Sequence, residues 1–315
     1  MKPSELRPQG RTHPPPIFIV GCPRSGTTLL AELLAGSPWG TPVETHFIPK
    51  YFKRLHQYGP LEERSGFKRL VSEILRERPV MQWRLEVDPE RLYETISGYD
   101  YATIADTLCR LRAERLGTSS WGDKTPNYVL DLDVISRLFP TSKVIHVIRD
   151  GRDVTLSLLK KPWGPGNVYA CAEYWKRCNE LTPTIEALLT EERMLQISYE
   201  SLLAQPHLTV ERIFRFLGEP VPAEAAQGVG RIKDDNCGKW RVQMKPDDIR
   251  LFEEIAGERL RAFGYVTTHE TRRISRSVRI AYYAHDFLHW SRHMIRQNLL
   301  DAFRIRYLKK EPFGE

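Results

Sequence analysis

The chain has 315 residues, 41% of them hydrophobic and 10% aromatic, with seven Trp. That content excludes a disordered chain and suffices for one large domain, with or without a small addition. The net charge is +7, but from His269 onward ten Lys/Arg stand against five Asp/Glu, so +5 of the excess lies in the C-terminal segment. A nearly neutral body argues against nucleic acid as a partner, because that role needs a basic face on the fold itself.

Residues 1–16 are polar and proline-rich. They read as a flexible leader rather than a signal peptide, since no apolar core follows the first charges. No run reaches the roughly 18 apolar residues that span a bilayer, so a soluble chain is expected. The five cysteines, Cys22, Cys109, Cys171, Cys178 and Cys237, form no C-x-x-C pair. Free thiols in a reducing, cytoplasmic setting are expected, and no metal site.

The first informative stretch is IFIVGCPRSGTTLL, residues 17–30. An apolar strand from Ile17 to Val20 ends at Gly21, a short turn follows, and a helix is predicted from about Thr27 to Ala35. The order matches the phosphate-binding loop G-x-x-x-x-G-K-[ST], with Gly21, Gly26 and Thr28 in register and Thr27 in place of the lysine. Backbone N–H groups and the positive end of the helix hold a phosphate without that lysine. Arg24 offers a planar cationic fork, and Ser25, Thr27 and Thr28 offer hydroxyls. Taken alone, the loop is either a phosphate or sulfate cradle or a tight strand-to-helix turn. Cys22 reads as a small loop residue, with a nucleophile as the alternative.

Residues 52–116 are charged and amphipathic, and predict helices beside the sheet. The run Lys143–Ile148 is continuous and β-branched, like a buried parallel strand. It passes into Arg149-Asp150-Gly151-Arg152-Asp153 and a helix carrying Ser157. A strand-end arginine with a hydroxyl about two turns on can grip a second phosphate; alternatively, Asp150 or Asp153 caps the helix and the arginines are surface charges. A third strand, Met194–Ile197, leads into Ser198–Leu202 and a helix around Val210–Leu217. Strands alternating with helices predict an α/β fold: a P-loop-like, three-layer arrangement with a central parallel sheet flanked by helices. Its ligands should bind beyond the strand C-termini.

After Tyr265, Ile274, Val278, Ala281, Tyr282, Phe287, Leu288, Met294, Ile295, Leu299 and Phe303 recur at roughly helical spacing, with arginines between. This predicts a basic amphipathic C-terminal extension over 269–315, following a main domain over 17–268. Such a helix either packs on the body or a second subunit, or lies on an anionic membrane surface. A homo-oligomer and a membrane-peripheral location are both compatible with it.

Taken together, PRSGTT after one strand and VIRDGRDV with Ser157 after another resemble the sulfotransferases that use 3′-phosphoadenosine 5′-phosphosulfate (PAPS). The resemblance covers roughly residues 17–265 and is closer to the bacterial and tyrosylprotein-type branch than to the cytosolic aryl enzymes. It implies that Arg24, Ser25, Gly26, Thr27 and Thr28 form the phosphosulfate cradle, and that Arg149 and Ser157 form the 3′-phosphate site. It further implies that Tyr199 and Lys245 contact the cofactor, and that Lys239 and Trp240 belong to a loop closing over the nucleotide. Glu44 falls on the catalytic glutamate, and Lys124, in GDKTP, on a lysine near the leaving group. Two departures stand out: Thr45 is followed by His46 where relatives often have arginine, and Lys161 stands where arginine is common.

The implied reaction moves a sulfuryl group from PAPS to a hydroxyl acceptor (small molecule, glycan, lipid or peptide tyrosine) and leaves adenosine 3′,5′-bisphosphate. It calls for a base, either Glu44 or His46. On an extended stretch these two would share a face. Arg24, Lys124 and the loop N–H groups would stabilise charge on the transferring group, and no metal is required. The competing expectations are a P-loop kinase or NTPase, for which Asp150 is the only candidate magnesium ligand after an apolar strand, and a non-catalytic nucleotide-binding, membrane-peripheral protein.

Overall fold

The computed structural model describes residues 14–232 and 236–303, without the side chains of 297–303. The leader up to residue 13 and the basic stretch 304–315 lie outside the described residues.

Four parallel strands form the central sheet: β1 (Ile17–Gly21), β2 (Gly122–Asp123), β3 (Lys143–Ile148) and β4 (Met194–Ser198), in the order β2-β1-β3-β4. Helices cover both faces, as the alternation in the sequence predicted. β1 lies between β2 and β3, with Ile17 opposite Gly122 and Lys143, and Phe18 opposite Asp123 and Val144. All five residues of β1 are buried, which explains its unbroken apolar run: both faces meet a core. Ile17 and Ile19 join one apolar cluster, with Leu30 and Phe214. Phe18 and Val20 join the other.

That second cluster also contains Phe67 and Leu70 of the helix Arg64–Leu75, and Ile104 and Leu108 of the helix Tyr101–Arg115. The helical stretch before β2 therefore shares its core with one face of the sheet. Phe18 meets Trp121 edge-on at 5.6 Å between ring centres, and Trp121 meets Phe139 at 5.3 Å. Truncating Phe18 to alanine in such a site costs about 3–5 kcal/mol.

The C-terminal ends of β1 and β3 are forced close together. A Cβ on Gly21 would stand 2.4 Å from the Val147 carbonyl oxygen, so only glycine permits this pairing. β3 ends at Ile148, Arg149 follows, and Asp150 caps the helix Gly151–Leu158 by accepting from the Arg152 N–H at 3.0 Å. β4 ends at Ser198, whose hydroxyl caps the helix Tyr199–Ala204 by accepting from the Ser201 N–H at 2.9 Å. These turns aim Arg149 and Tyr199 at the loop that follows β1.

The C-terminal segment forms one helix, Arg276–Phe303. One side of it rests on the loop before the helix Val168–Cys178. Tyr282 stacks on Tyr169, with ring centres 5.0 Å apart and planes 2° from parallel. Asp286 accepts from the Gly166 N–H at 2.6 Å, and Asn167 donates to the Tyr282 carbonyl at 3.0 Å. Among the described residues, no helix is long and apolar enough to cross a membrane.

Candidate active site

The loop after β1 turns through two left-handed residues, Arg24 (φ 77°) and Gly26 (φ 97°). Gly26 then starts the helix Thr27–Leu33 with no side-chain cap. The first N–H groups of that helix consequently face the loop mouth, where an anion can accept from them. The ring of Tyr199 lies against Gly26 so closely that a Cβ there would be 2.2 Å from its Cδ2.

Arg149 stacks over the other side of the same neighbourhood, its guanidinium 4.5 Å from the Tyr199 ring centre. It donates to the carbonyls of Arg24 at 3.2 Å and Asn236 at 2.6 Å. The Asn236 amide donates to the Tyr199 hydroxyl at 3.0 Å. Arg24 donates from Nε to the Ser157 hydroxyl at 2.9 Å. The two loops that the family resemblance assigns to opposite ends of one nucleotide are thus knit into a single cluster.

Two buried polar atoms in this cluster, Ser25 Oγ and Arg149 Nε, have no hydrogen-bond partner. Buried donors without acceptors are uncommon, and here they accompany an uncapped helix start and two arginines. The residues present fit a phosphate-bearing anion.

A second group faces the same space from the end of β2. Lys124 donates to Glu44 Oε1 at 2.5 Å, and His46 Nε2 lies 2.7 Å from Glu44 Oε2. Burial alone would raise the Glu44 pKa, but the hydrogen bonds from His46 and Lys124 outweigh it and hold the carboxyl at about 2. Glu44 and His46 do lie on one side, although not through a continuous extended stretch: His46 has a left-handed backbone (φ 57°).

Between them, buried Thr45 anchors the segment. Its N–H donates to Asp123 at 3.1 Å, and its hydroxyl pairs with the Tyr128 hydroxyl at 2.8 Å. Asp123 is fully buried and also accepts from the Thr125 N–H at 2.7 Å. Burial pushes its pKa up to about 6 despite those bonds.

Both groups line one cavity of about 820 Å³. Arg24, Gly26, Thr27, Thr28, Arg149 and Tyr199 line it together with Glu44 and His46. Its lining also includes Trp163 and Tyr174 from the body and Tyr283, Trp290 and Met294 from the C-terminal helix, beside the polar Asp286 and His293. Glu44 and His46 also border a second cavity of about 1090 Å³. That one carries Lys50, Arg78, Arg84, Arg112 and Arg115.

The remaining sequence-derived residues lie at varying distance from this space. Ser157 and Lys124 reach the cavity through Arg24 and Glu44. Lys239 donates to the Asn236 side chain at 3.0 Å. Trp240 stacks with Arg152 at 3.6 Å, and its N–H is held by Asp153 at 2.9 Å, so it braces the Asn236 loop from outside the cavity. Lys245 stands exposed at the start of the helix Pro246–Ala262 and does not line the cavity. Arg152 is structural: it is 1% exposed and pairs with Asp150 at 2.7 Å and Glu253 at 2.6 Å. Asp150, the magnesium ligand that a kinase would need, is committed to that buried pair. Burial raises the Cys22 thiol pKa well above its ordinary value, which leaves it a packing residue.

The parallel sheet with a glycine-bounded strand-to-helix turn at the tip of β1 defines an α/β protein of P-loop-like architecture. The Sulfotransferase family profile matches residues 15–223, and the chain belongs to that family. Protein-tyrosine sulfotransferase 1 of Danio rerio is 25% identical over 218 residues, 65% of this chain and 54% of the relative. Protein-tyrosine sulfotransferase of Drosophila melanogaster is 25% identical over 273 residues, 77% of this chain and 50% of the relative. The chain spans about half the length of these curated relatives. Among solved structures, the sulfotransferase domain of the Synechococcus PCC 7002 olefin synthase superposes with a TM-score of 0.52 at 24% identity. The match covers 82% of this chain and 98% of that one. The sulfotransferase domain from the curacin pathway gives 0.51 at 18% identity, covering 82% and 100%. These two carry the fold.

Proposed function

We propose that the protein transfers a sulfuryl group from PAPS to a hydroxyl acceptor, with Glu44 as the base. The observation that carries this reading is the Glu44–Lys124 pair opening onto the same cavity as the joined tips of β1 and β3. PAPS supplies the activated sulfuryl group. The loop N–H groups, Arg24, Ser25, Thr27 and Thr28 would hold its phosphosulfate, and Arg149 with Ser157 its 3′-phosphate. Tyr199 keeps Arg149 and the loop in register by packing between them.

Lys124 has two tasks. It keeps Glu44 ionised, and its ammonium stands where charge on a leaving phosphate oxygen can be neutralised. Glu44 takes the acceptor's hydroxyl proton. A low pKa does not disqualify it, because in loose group transfers the acceptor oxygen becomes strongly acidic only as its new bond forms; kinases use an aspartate in the same role. His46 orients the carboxylate through its second oxygen.

The test is transfer of ³⁵S from labelled PAPS to a panel of hydroxyl acceptors, with Glu44→Gln as control. Label incorporated by the native protein and abolished in the variant supports the assignment. Equal incorporation by both would remove Glu44 from the chemistry.

A further inference from the structure

The C-terminal helix Arg276–Phe303 has a face that the fold does not use. Tyr282, Asp286 and His289 turn inward, onto Tyr169, Gly166 and their neighbours. The opposite face carries Ile280, Phe287, Leu288 and Ile295, which are 68%, 64%, 54% and 60% exposed. Their spacing of seven, eight and fifteen residues from Ile280 places them on one stripe. Large apolar side chains exposed in a row on one helix mark a surface that meets something apolar.

Charge decides what that is. Arg276, Arg279, Arg292 and Arg296 lie on the same helix against two acids, Asp301 near its end and Asp286, which is already occupied by the Gly166 N–H. The chain from His269 onward holds ten basic residues against five acids. A second copy of this face would bring like charges together, whereas an anionic bilayer surface takes both the apolar stripe and its arginines.

The stripe is also continuous with the cavity. Tyr283, Trp290 and Met294 lie at its edge, and all three line the same cavity as the loop after β1. Tyr283 and Trp290 are themselves 46% and 51% exposed. The exposed stripe thus adjoins side chains that enter the cavity Glu44 also lines.

We propose that the Arg276–Phe303 helix docks this protein flat on an anionic lipid surface, so that the aromatic end of the cavity opens toward an acceptor held in that surface. The docking stands independently of the sulfotransferase reading; only the acceptor's being membrane-borne rests on it.

The experiment is flotation of the full chain with vesicles of phosphatidylcholine alone, and of phosphatidylcholine containing phosphatidylglycerol. It is repeated with the double variant Ile280→Glu, Phe287→Glu, whose two positions do not line the cavity. The native chain should float with the anionic vesicles, lose binding as salt rises, and ignore the neutral ones. The double variant should bind at least about tenfold more weakly. Binding of adenosine 3′,5′-bisphosphate should be the same in both proteins, which separates lost docking from lost folding or a wrong cofactor. Absence of flotation by the native chain, or equal flotation by both, overturns the proposal. So does a dimer in solution that the double variant converts to monomer, since the stripe would then belong to a second copy.

Discussion

Replacing Gly26 by alanine would put a methyl group into the most crowded point of the phosphate loop. The new Cβ would stand 2.2 Å from Cδ2 and 2.5 Å from Cε2 of Tyr199, at a backbone φ of 97°. The left-handed backbone costs an L residue about 1–2 kcal/mol. The ring must also give way by about an ångström to restore ordinary contact. That movement breaks the 3.0 Å bond from Asn236 to the Tyr199 hydroxyl, worth about 1 kcal/mol. It also disturbs the 4.5 Å stacking of Arg149, worth about another. The sum is about 3–4 kcal/mol, which in a chain of this size lowers Tm by about 5–6 °C.

Calorimetric unfolding measures the loss directly. A titration with adenosine 3′,5′-bisphosphate should show affinity about tenfold lower or worse, because Arg149 no longer has its support. The mechanism itself is checked by combining the change with Tyr199→Ala, which gives the methyl group room. The two substitutions should then couple by about 1–2 kcal/mol instead of adding. Additive costs, or a Gly26→Ala protein with unaltered Tm, would refute the claim that the Tyr199 ring holds this loop in shape.

Two further outcomes follow from the other half of the site. Glu44→Gln should lower kcat by about 10²–10⁴ while leaving cofactor affinity unaltered; a loss confined to KM would contradict its role as base. Asp123 supplies a pH signature. Its carboxyl stays protonated to about pH 6 when folded, against an ordinary value of 3.8. The stability it contributes is therefore complete below about pH 4 and lost as pH rises through 6. Relative to Asp123→Asn, the native protein should lose about 3 kcal/mol over that interval, followed by Tm. Parallel pH curves for the two proteins would show that Asp123 is ionised throughout.

The sheet was legible because its long strands are mostly apolar runs, broken only by Lys143 and His146 in β3 and by Gln196 and Ser198 in β4. β2 was not, since two residues, Gly122 and Asp123, carry no period. With β2 went the role of Asp123, whose only trace in the sequence is its place beside Lys124. The two-residue spacing suggested a shared face for Glu44 and His46 only on an extended stretch; they meet instead through a left-handed turn at His46 that has no sequence signal. Arg149 and Arg152 look alike as strand-end cations. They diverge because Arg152 lies on the inner side of its helix, where Glu253, 101 residues further on, neutralises it. Such pairing across the chain leaves no local pattern. The C-terminal helix was visible from its spacing, but its position against the cavity depends on the approach of His289 to Gly166, where a Cβ would be 2.6 Å away.

The central claim is that the tips of β1 and β3 together hold one nucleotide bearing phosphates at both ends. The measurement that tests it most directly is calorimetric titration of the native chain with adenosine 3′,5′-bisphosphate, alongside adenosine 5′-monophosphate and magnesium–ATP, repeated on Arg149→Ala. The expected result is tight binding of the bisphosphate, weaker binding of the monophosphate, and Arg149→Ala erasing most of that difference. Binding of magnesium–ATP with no response to the bisphosphate would contradict it.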